Sequence, residues 1–252
     1  MSSFQNQVAL ITGAGAGIGR ATALAFAAEG ARVVVSDVNE AGGAETVSQI
    51  EAAGGEAVFV RCNVARPEEV EAAVRQTVET FGRLDIGINN AGIGGDFARL
   101  HEQSPDAWNQ MLAVNLSGVF YCMQSEIRQM LAQGGGKIVN ISSIAGIRGM
   151  PMGGPYSAAK HGVIGLTKTA ALEYARKNIR VNAVCPVYTH SAMVDGLIAV
   201  APGMEERMRK MIPIGRLGQP EEIAQAILWL CADENAFCTG QAIQMDGGLM
   251  AG

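Results

Sequence analysis

Short apolar runs alternate with longer amphipathic stretches along the whole of this chain. The apolar runs predict seven strands, over residues 7–11, 32–36, 57–61, 85–89, 137–141, 180–184 and 242–245. Helical spacing predicts helices over residues 17–29, 40–53, 67–81, 104–115, 116–133, 156–177 and 221–231. Continuous apolar strands separated by amphipathic helices are typical of a parallel sheet covered on both faces. The pattern therefore predicts an α/β fold with a seven-stranded, doubly wound parallel sheet, which would bind ligands beyond the carboxyl ends of its strands.

Composition is consistent with a single domain over residues 1–252. Hydrophobic residues make up 48% of the chain, and no Pro/Ser-rich or strongly charged stretch divides it. The net charge of −5 argues against a nucleic-acid-binding protein, which usually presents a basic face. No apolar run reaches the ~20 residues that span a bilayer, so no membrane partner is expected.

Cysteine and histidine usage indicates a reducing compartment and argues against a metal site. The five cysteines are an odd number without a CxxC pair, and the three histidines are scattered. Disulfides and zinc are therefore not expected. Residues 1–6 are polar and lack both a basic and an apolar leader region, so no signal peptide is expected. We predict a cytoplasmic protein.

A glycine-rich turn joins the first predicted strand to the first predicted helix. Its spacing is Gly13-x-x-x-Gly17-x-Gly19, with Ile18 between the last two glycines. Glycines let the backbone turn sharply and let a pyrophosphate approach the helix N-terminus, which favours anions. Such a turn can be only a loop, but its place between strand and helix favours a dinucleotide-binding Rossmann fold. Arg20 is interpreted as a surface charge at the helix end that could also approach the pyrophosphate.

Two further segments lie at the same predicted edge of the sheet. Asp37 closes the second strand, where a carboxylate can accept hydrogen bonds from a ribose diol and would repel a 2′-phosphate. NAD is therefore predicted rather than NADP, although Asp37 could also be a solvated carboxylate. The segment Asn89-Asn90-Ala91-Gly92 ends the fourth strand and allows close approach to an adenosine, with an ordinary Asn-Gly turn as the alternative.

Tyr156 and Lys160 stand four residues apart on a predicted helix. Residues at i and i+4 share a helical face, so the Lys160 ammonium can lie beside the phenol. A neighbouring cation favours the phenolate, and moving the phenol pKa from ~10 to about 7 needs roughly 4 kcal/mol. Tyr156 would then exchange protons near neutrality. The alternative is a tyrosine packed on the aliphatic stem of a lysine.

Taken together in this order, the motifs resemble those of the short-chain dehydrogenase/reductase family. The resemblance runs from Val8 to about Gly248. It is carried by Thr12-Gly13 to Gly19, Asp37, Asn89 to Gly92, Asn115, Ile141-Ser142-Ser143, Tyr156 to Lys160, Arg180-Val181-Asn182, Pro186 and Asp246-Gly247-Gly248. It implies oxidation of an alcohol or reduction of a carbonyl with a nicotinamide cofactor.

The resemblance also implies roles for individual residues. Tyr156 is similar to the family's general acid/base, and Ser143 to the donor that holds the substrate oxygen. Lys160 would lower the tyrosine pKa and bind the nicotinamide ribose. Asn115 resembles the residue that holds a water in the proton relay, although from sequence alone it could equally be a helix-breaking hydrogen bonder. The implied cofactor set is Gly13, Gly17, Ile18, Gly19, Asp37, Asn63, Val64, Asn90, Ala91, Gly92, Tyr156, Lys160, Pro186 and Thr189.

Three positions depart from the family pattern. Asn63 stands where the family usually has an aspartate that touches adenine, and an amide oxygen could still accept from the adenine amino group. Val187 follows Pro186 where the family commonly has glycine. Because a branched residue rarely adopts positive φ, the backbone there is expected to be ordinary or rearranged. Ser191 replaces a common threonine.

Substrate contacts are expected from the loops over residues 93–99, 144–155 and 187–211. These loops are apolar and rich in methionine, with few charges in the first two. We therefore predict a neutral secondary alcohol or ketone, with cyclic and aromatic substrates included. The candidate substrate residues are Ser143, Ala145, Met150, Tyr156, Val187, Tyr188, His190 and Met193.

Two other functions were weighed against this prediction. A 3-oxoacyl thioester reductase of fatty-acid synthesis shares the motifs, but it would require NADPH and a basic patch for an acidic carrier protein. A non-catalytic sensor of dinucleotides would bind NAD without turnover of any carbonyl. Asp37 argues against the first, and the trio of Ser143, Tyr156 and Lys160 argues against the second.

Helices around residues 108–130 and 156–174 carry apolar and small residues over much of their circumference. One sheet face cannot cover that much apolar surface, which indicates helix–helix association between subunits. The family resemblance implies a homotetramer, with a dimer as the alternative. Trp108 and Trp229 fall at helical core spacing and are interpreted as packing residues.

Overall fold

The computed structural model describes residues 4–251, apart from the side chain of Val200. Seven parallel strands form one sheet in the order β3-β2-β1-β4-β5-β6-β7. The strands are β1 (Val8–Thr12), β2 (Arg32–Asp37), β3 (Glu56–Arg61), β4 (Ile86–Asn89), β5 (Gly136–Ile141), β6 (Ile179–Pro186) and β7 (Ala242–Met245). The strand order reverses direction between β1 and β4, which confirms the doubly wound Rossmann topology. Residues 1–3 and 252, at the ends of the expected domain and in the expected polar start, lie outside the described residues.

Nine α-helices lie in the described part of the chain. They are α1 (Gly17–Ala28), α2 (Glu40–Ala52), α3 (Pro67–Phe81), α4 (Pro105–Leu112), α5 (Gly118–Gln133), α6 (Gly154–Tyr174), α7 (Ala192–Val200), α8 (Met204–Met211) and α9 (Pro220–Cys231). None of the helices within residues 4–251 is both long and apolar enough to cross a bilayer. All strand and helix predictions are confirmed to within a few residues, whereas α7 and α8 were missed.

Local sequence explains where several of these helices begin and end. Pro67 occupies the first turn of α3, and Gly82 ends that helix in the left-handed conformation with φ of 80°. Ser104 caps α4 by accepting from the Ala107 N–H at 3.1 Å. Residues 104–133, predicted as two helices, form one run that a π-helical turn at Ala113–Ser117 interrupts. Such turns are frequent at functional sites.

The core consists of two layers, one on each face of the sheet. One layer packs α3, α5 and α6 against the strands, and the other packs α1, α2 and α9 against the opposite face. Largely apolar strands buried on both faces leave the loops at the strand ends free to carry polar groups.

The two tryptophans contradict the sequence interpretation. Trp108 is 40% exposed and Trp229 is 52% exposed, so neither is a core residue of a single chain. Helical periodicity places a residue on an apolar face but does not reveal whether that face meets the sheet or the exterior.

Candidate active site

The glycine turn shows why particular positions in it must be glycine. Gly13 and Gly17 adopt positive φ, of 64° and 52°. A Cβ on Gly19 would collide with the Gly13 carbonyl oxygen and approach the Asn90 side chain to 2.6 Å. The turn therefore lies tightly against the end of β4, and no side chain from these three positions fills the space in front of α1.

The N-terminus of α1 opens onto this turn. Its N-cap residue, Ala16, makes no side-chain capping bond, and no acidic side chain lies in the first turn. Unpaired N–H groups and the helix dipole make such an end an anion site. This cradle fits the pyrophosphate of a dinucleotide.

Asn90 braces the glycine turn against β4. Its Nδ2 donates to the carbonyl oxygens of Thr12 and Gly13 at 2.9 and 3.0 Å. Its backbone N–H donates to the Thr12 hydroxyl at 3.0 Å, and the Ala91 N–H donates to the same hydroxyl at 3.1 Å. Ala91 and Gly92 follow directly, so this expected cofactor segment lies beside the turn.

Asp37 lies at the end of β2, next to the same turn. One carboxylate oxygen accepts from the Gly15 N–H at 2.8 Å, and the other accepts from the Asn39 N–H at 2.9 Å. Asp37 is half-buried, and the following Val38 is exposed. These bonds fix the negative charge at the edge where an adenosine ribose would lie.

Arg20 is not the free surface charge that the sequence indicated. Its Nη2 donates to the carbonyl oxygens of Gly15 and Gly42 at 2.5 and 3.2 Å, and its Nε donates to the Thr46 hydroxyl at 3.0 Å. The Thr46 hydroxyl in turn donates to the Ala14 carbonyl at 2.9 Å. Arg20 therefore clasps the glycine turn to α2, a role that no local sequence pattern reveals.

Two predicted cofactor residues, Asn63 and Val64, have limited freedom. The Asn63 Oδ1 already accepts from the Ala65 N–H at 3.1 Å. An adenine amino group that donates to this oxygen would therefore share the acceptor with Ala65. The Val64 side chain is buried, and a Cβ on Gly118 would touch it at 2.8 Å. Only the backbone of Val64 can meet a ligand.

The catalytic candidates lie where β5 and α6 meet. Ser143 follows β5 and caps the short 3₁₀ turn at Ile144–Gly146, its Oγ accepting from the Ala145 N–H at 3.1 Å. Tyr156 lies in the first turn of α6, after Pro155. Burial raises the Tyr156 pKa above its ordinary value, while a hydrogen bond with Ser143 lowers it by less. Ser142 is engaged elsewhere, because its hydroxyl donates to the Lys160 carbonyl at 2.9 Å.

The Lys160 ammonium lies near the Tyr156 ring, as its position one turn along α6 predicts. Its Nζ donates to the Ile141 carbonyl at 2.7 Å and lies 5.7 Å from the centroid of the Tyr156 ring. The side chain is only 4% exposed, and burial lowers the Lys160 pKa to about 8. Burial of the phenol opposes the lowering of the Tyr156 pKa that Lys160 is expected to cause, and that lowering stays a prediction.

Asn115 is fully buried in the π-helical turn. Its Oδ1 accepts from the Ile93 N–H, and its Nδ2 donates to the Ile93 carbonyl, both at 2.8 Å. Nδ2 also approaches the Met111 sulfur at 2.9 Å. The side chain thus closes the loop after β4, and the relay role of Asn115 stays a prediction.

A small cavity opens beside Tyr156. Of the candidate substrate residues, Met150 and Tyr156 line it. Its other lining residues are Gly94, Gly95, Asp96, Phe97, Gln103, Ala107, Met111, Gly153 and Pro155. Met111 was not predicted, although its position four residues before Asn115 on a helix could have indicated it.

The remaining candidates follow β6. Val187 has no positive φ, in agreement with the expected ordinary backbone, and its N–H donates to the Met245 carbonyl at 3.1 Å. Thr189 is buried, and Tyr188 is half-buried. His190 pairs with Asp195 at 2.9 Å. Met193 lies on α7 against Gly94, where a Cβ would approach its sulfur to 3.1 Å.

Two other candidates have structural surroundings. Ala145 is buried, and its N–H bonds Ser143. Pro186 ends β6 and is also buried. Within residues 4–251 no group of three or more His, Cys, Asp or Glu side chains could hold a metal ion.

Comparison with known proteins identifies the family to which the chain belongs. A family model described as "Enoyl-(Acyl carrier protein) reductase" matches residues 13–250. The match includes the glycine turn and the segments that carry Ser143, Tyr156 and Lys160.

Similar proteins cover nearly the full length of the chain. Cyclohexanol dehydrogenase of Acinetobacter sp. (strain SE19) is 48% identical over 98% of this chain and 96% of its own length. A 3-oxoacyl-[acyl-carrier-protein] reductase of Synechocystis sp. is 44% identical over 99% of both chains. The crystal structure of levodione reductase superimposes with a TM-score of 0.94 and 36% identity, over 98% of this chain and 99% of that one.

Proposed function

Because the chain belongs to the short-chain dehydrogenase/reductase family and is an oxidoreductase acting on CH–OH groups, we propose that it interconverts neutral cyclic secondary alcohols and their ketones with NAD(H). The observation that carries this proposal is the meeting of Ser143, Tyr156 and Lys160 at the carboxyl edge of the sheet, the edge that also carries the glycine turn, with a small cavity beside Tyr156. Residues 1–252 act as one dinucleotide-binding and catalytic domain in this proposal.

The residues present fit a dinucleotide. The turn from Gly13 to Gly19 and the uncapped start of α1 would hold the pyrophosphate, Asp37 the adenosine ribose, and Asn90 to Gly92 the neighbouring segment. Lys160 would bind the nicotinamide ribose. When bound, the cofactor supplies or accepts a hydride.

Tyr156 and Ser143 handle the substrate oxygen in this mechanism. The Ser143 Oγ accepts from the Ala145 N–H, so its own hydrogen, which bonds Tyr156 here, can donate to a substrate oxygen that gains negative charge. The Tyr156 hydroxyl gives its proton to that oxygen during reduction and takes one back during oxidation. Lys160 stays cationic below about pH 8, and its charge, one turn along α6, favours the phenolate form after transfer.

The cavity and Asp37 support the choice of substrate and cofactor. Methionines such as Met111 and Met150 provide an apolar, adaptable wall for a ring without charge. The relative that acts on cyclohexanol is consistent with such a substrate. Asp37 would repel the 2′-phosphate of NADP, and the nearby Arg20 has its donors committed to Gly15, Gly42 and Thr46.

Reduction of a 3-oxoacyl thioester is the second candidate, because a relative with that name is 44% identical over nearly the full chain. That activity would require a basic docking surface near the pocket and a place for a 2′-phosphate. Asp37 opposes the second requirement. The non-catalytic sensor is the weakest alternative, since the trio that would move a proton is intact.

The same proposal extends to assembly and location. Exposed Trp108 and Phe120 on α4 and α5, together with Trp229 on α9, provide two separate apolar faces, as a homotetramer requires. The five cysteines are free thiols, which is consistent with a cytoplasmic protein.

A spectrophotometric panel tests the function. Cyclohexanol, acyclic secondary alcohols and their ketones are mixed with NAD(H) or NADP(H), and the absorbance of the reduced nicotinamide is followed. We expect cyclic substrates with NAD(H) to give the highest kcat/KM. Turnover confined to 3-oxoacyl thioesters with NADPH would show the second candidate to be correct.

A further inference from the structure

Glu126 is a buried acidic residue that the proposed reaction does not use. It lies on α5 with 0% exposure, among apolar neighbours that include Met123, Ile127 and Met130. Its carboxyl occupies space left by Gly87 of β4, where a Cβ would collide with it. A carboxyl group is thus inserted between α5 and the centre of the sheet.

The hydrogen bonds of Glu126 do not match an ionised carboxylate. Oε2 accepts from the Asn89 Nδ2 at 3.0 Å, while Oε1 has no partner among the described residues. The buried Asp85, by contrast, is paired with Arg83 and accepts from the Val8 N–H. An isolated carboxylate in such surroundings takes up a proton instead of remaining charged.

A second orphan oxygen lies on the residue that bonds Glu126. The Asn89 Oδ1 is fully buried and also lacks a partner among the described residues. The Asn89 Nδ2 donates both to Glu126 and, at 2.9 Å, to the Asn140 Oδ1. The Asn140 Nδ2 continues to the Thr167 hydroxyl at 2.9 Å. One proton on the Glu126 Oε1 would make it a donor for the Asn89 Oδ1, and both orphan oxygens would then be satisfied.

We propose that Glu126 is a positioning residue, held as a neutral carboxylic acid whose proton joins it to Asn89. This bond completes a chain of four side chains, Glu126–Asn89–Asn140–Thr167, which we call the acid–amide chain. It links α5, β4, β5 and α6 through the middle of the molecule.

The two middle members of the acid–amide chain lie directly behind the active site. Asn89 precedes Asn90, which bonds the glycine turn, and Asn140 precedes Ile141, whose carbonyl accepts from Lys160. Ionisation of Glu126 would place a negative charge against the Asn89 Oδ1 and break the hydrogen bond between these two side chains. The end of β4 would then hold the glycine turn less firmly, so dinucleotide binding is expected to weaken.

The titratable surroundings support this assignment. Burial raises the Glu126 pKa to about 7, with the Asn89 hydrogen bond acting in the opposite direction. Burial also raises the pKa of Cys122 on the same helix and of Cys62, which follows β3, so both thiols are neutral near pH 7. The Arg128–Glu71 ion pair between α5 and α3 lies on the exposed side of that contact.

Unfolding measurements test whether Glu126 carries a proton in the folded protein. Since the folded-state pKa is raised from 4.5 to about 7, the folded chain holds one more proton than the unfolded chain within that window. Its unfolding constant is therefore expected to rise about tenfold for each pH unit there and to level off above it. In Glu126→Gln the amide N–H can donate to the Asn89 Oδ1 at any pH, because the amide does not titrate, so this component disappears. Glu51→Gln, at an exposed position on α2, is the matched control and keeps it. An equal slope in Glu126→Gln and in the unchanged protein would overturn the proposal.

Isotope-edited infrared spectroscopy gives a second readout that does not require a folded variant. With labelled glutamate, the folded protein at about pH 6 is expected to show the carbonyl band of one protonated carboxyl group, which fades as the pH rises through about 7. Bands of ionised carboxylates alone at about pH 6 would contradict a neutral Glu126.

Dinucleotide binding tests the positioning role, and this arm alone rests on the proposed function. Fluorescence titration with NADH is expected to show a dissociation constant that increases between about pH 6 and about pH 8, with no such increase in Glu126→Gln. The same increase in both proteins would leave Glu126 without a positioning role. A protein that fails to bind NADH refutes the proposed function, while the unfolding and infrared results still decide whether Glu126 is neutral.

Discussion

Opposing effects act on the pKa of Tyr156, and a sequence pattern does not show which of them is larger. Burial raises its pKa, the bond with Ser143 lowers it by less, and the Lys160 ammonium is directed at the Ile141 carbonyl. A protonated phenol near neutrality is the form that reduction of a ketone requires, because that direction consumes a proton. Oxidation of an alcohol requires the phenolate and is expected to be favoured at higher pH.

Tyr156→Phe tests this role at the scale of one atom. Loss of the hydroxyl removes the proton donor, so we expect kcat to fall by roughly 10²–10⁴ or more in both directions. NADH binding should remain, since the ring still fills its place in α6. Steady-state kinetics and fluorescence titration measure the two effects, and Tyr174→Phe, near the other end of the same helix, is the control. A Phe variant with near-normal kcat would show that another group transfers the proton.

Elements with strong periodicity were predictable, and those shaped by tertiary contacts were not. The strands and α3 follow from apolar runs and from Pro67, whereas α7 lies in a loop-like sequence and begins where Ser191 accepts from the Val194 N–H. The π-helical turn around Asn115 was read as a boundary between two helices. At the site, motif residues were predicted from order and spacing. Met111 and the Arg20 clasp depend on contacts between elements, which a single sequence does not display.

The clasp gives a prediction about how two elements cooperate. Arg20→Ala removes three hydrogen bonds that tie the glycine turn to α2, so the turn and Asp37 should lose their fixed placement. With net contributions of about 1 kcal/mol per bond, the dissociation constant for NADH is expected to rise by roughly tenfold or more, with a smaller change in kcat. Arg20→Lys should recover part of the affinity, and Arg75→Ala on the exposed side of α3 is the control. Equal KM for NAD in Arg20→Ala and the unchanged enzyme would exclude this role.

At the scale of the whole molecule, exposed aromatic residues define two surfaces. The first, on α4 and α5, contains Trp108 and Phe120, which are 40% and 43% exposed. The second contains Trp229 on α9, 52% exposed, and Phe237 beyond it, which is fully exposed. Large apolar side chains exposed at two distinct places are consistent with the homotetramer that we propose. This distribution explains why helical periodicity overestimated the core of one chain.

A glutamate introduced into either surface should disrupt subunit association through that surface alone. Phe120→Glu is expected to abolish association through the first surface and Trp229→Glu through the second, because burying an unpaired carboxylate in an apolar contact is strongly unfavourable. Light scattering should then show a tetramer for the unchanged protein, a dimer for each single variant and a monomer for the double variant. Arg75→Glu, on the exposed side of α3, which carries none of these aromatic residues, should remain tetrameric. If the unchanged protein is a dimer, only one of the two single variants should dissociate it. A monomer in every sample would exclude self-association through either surface.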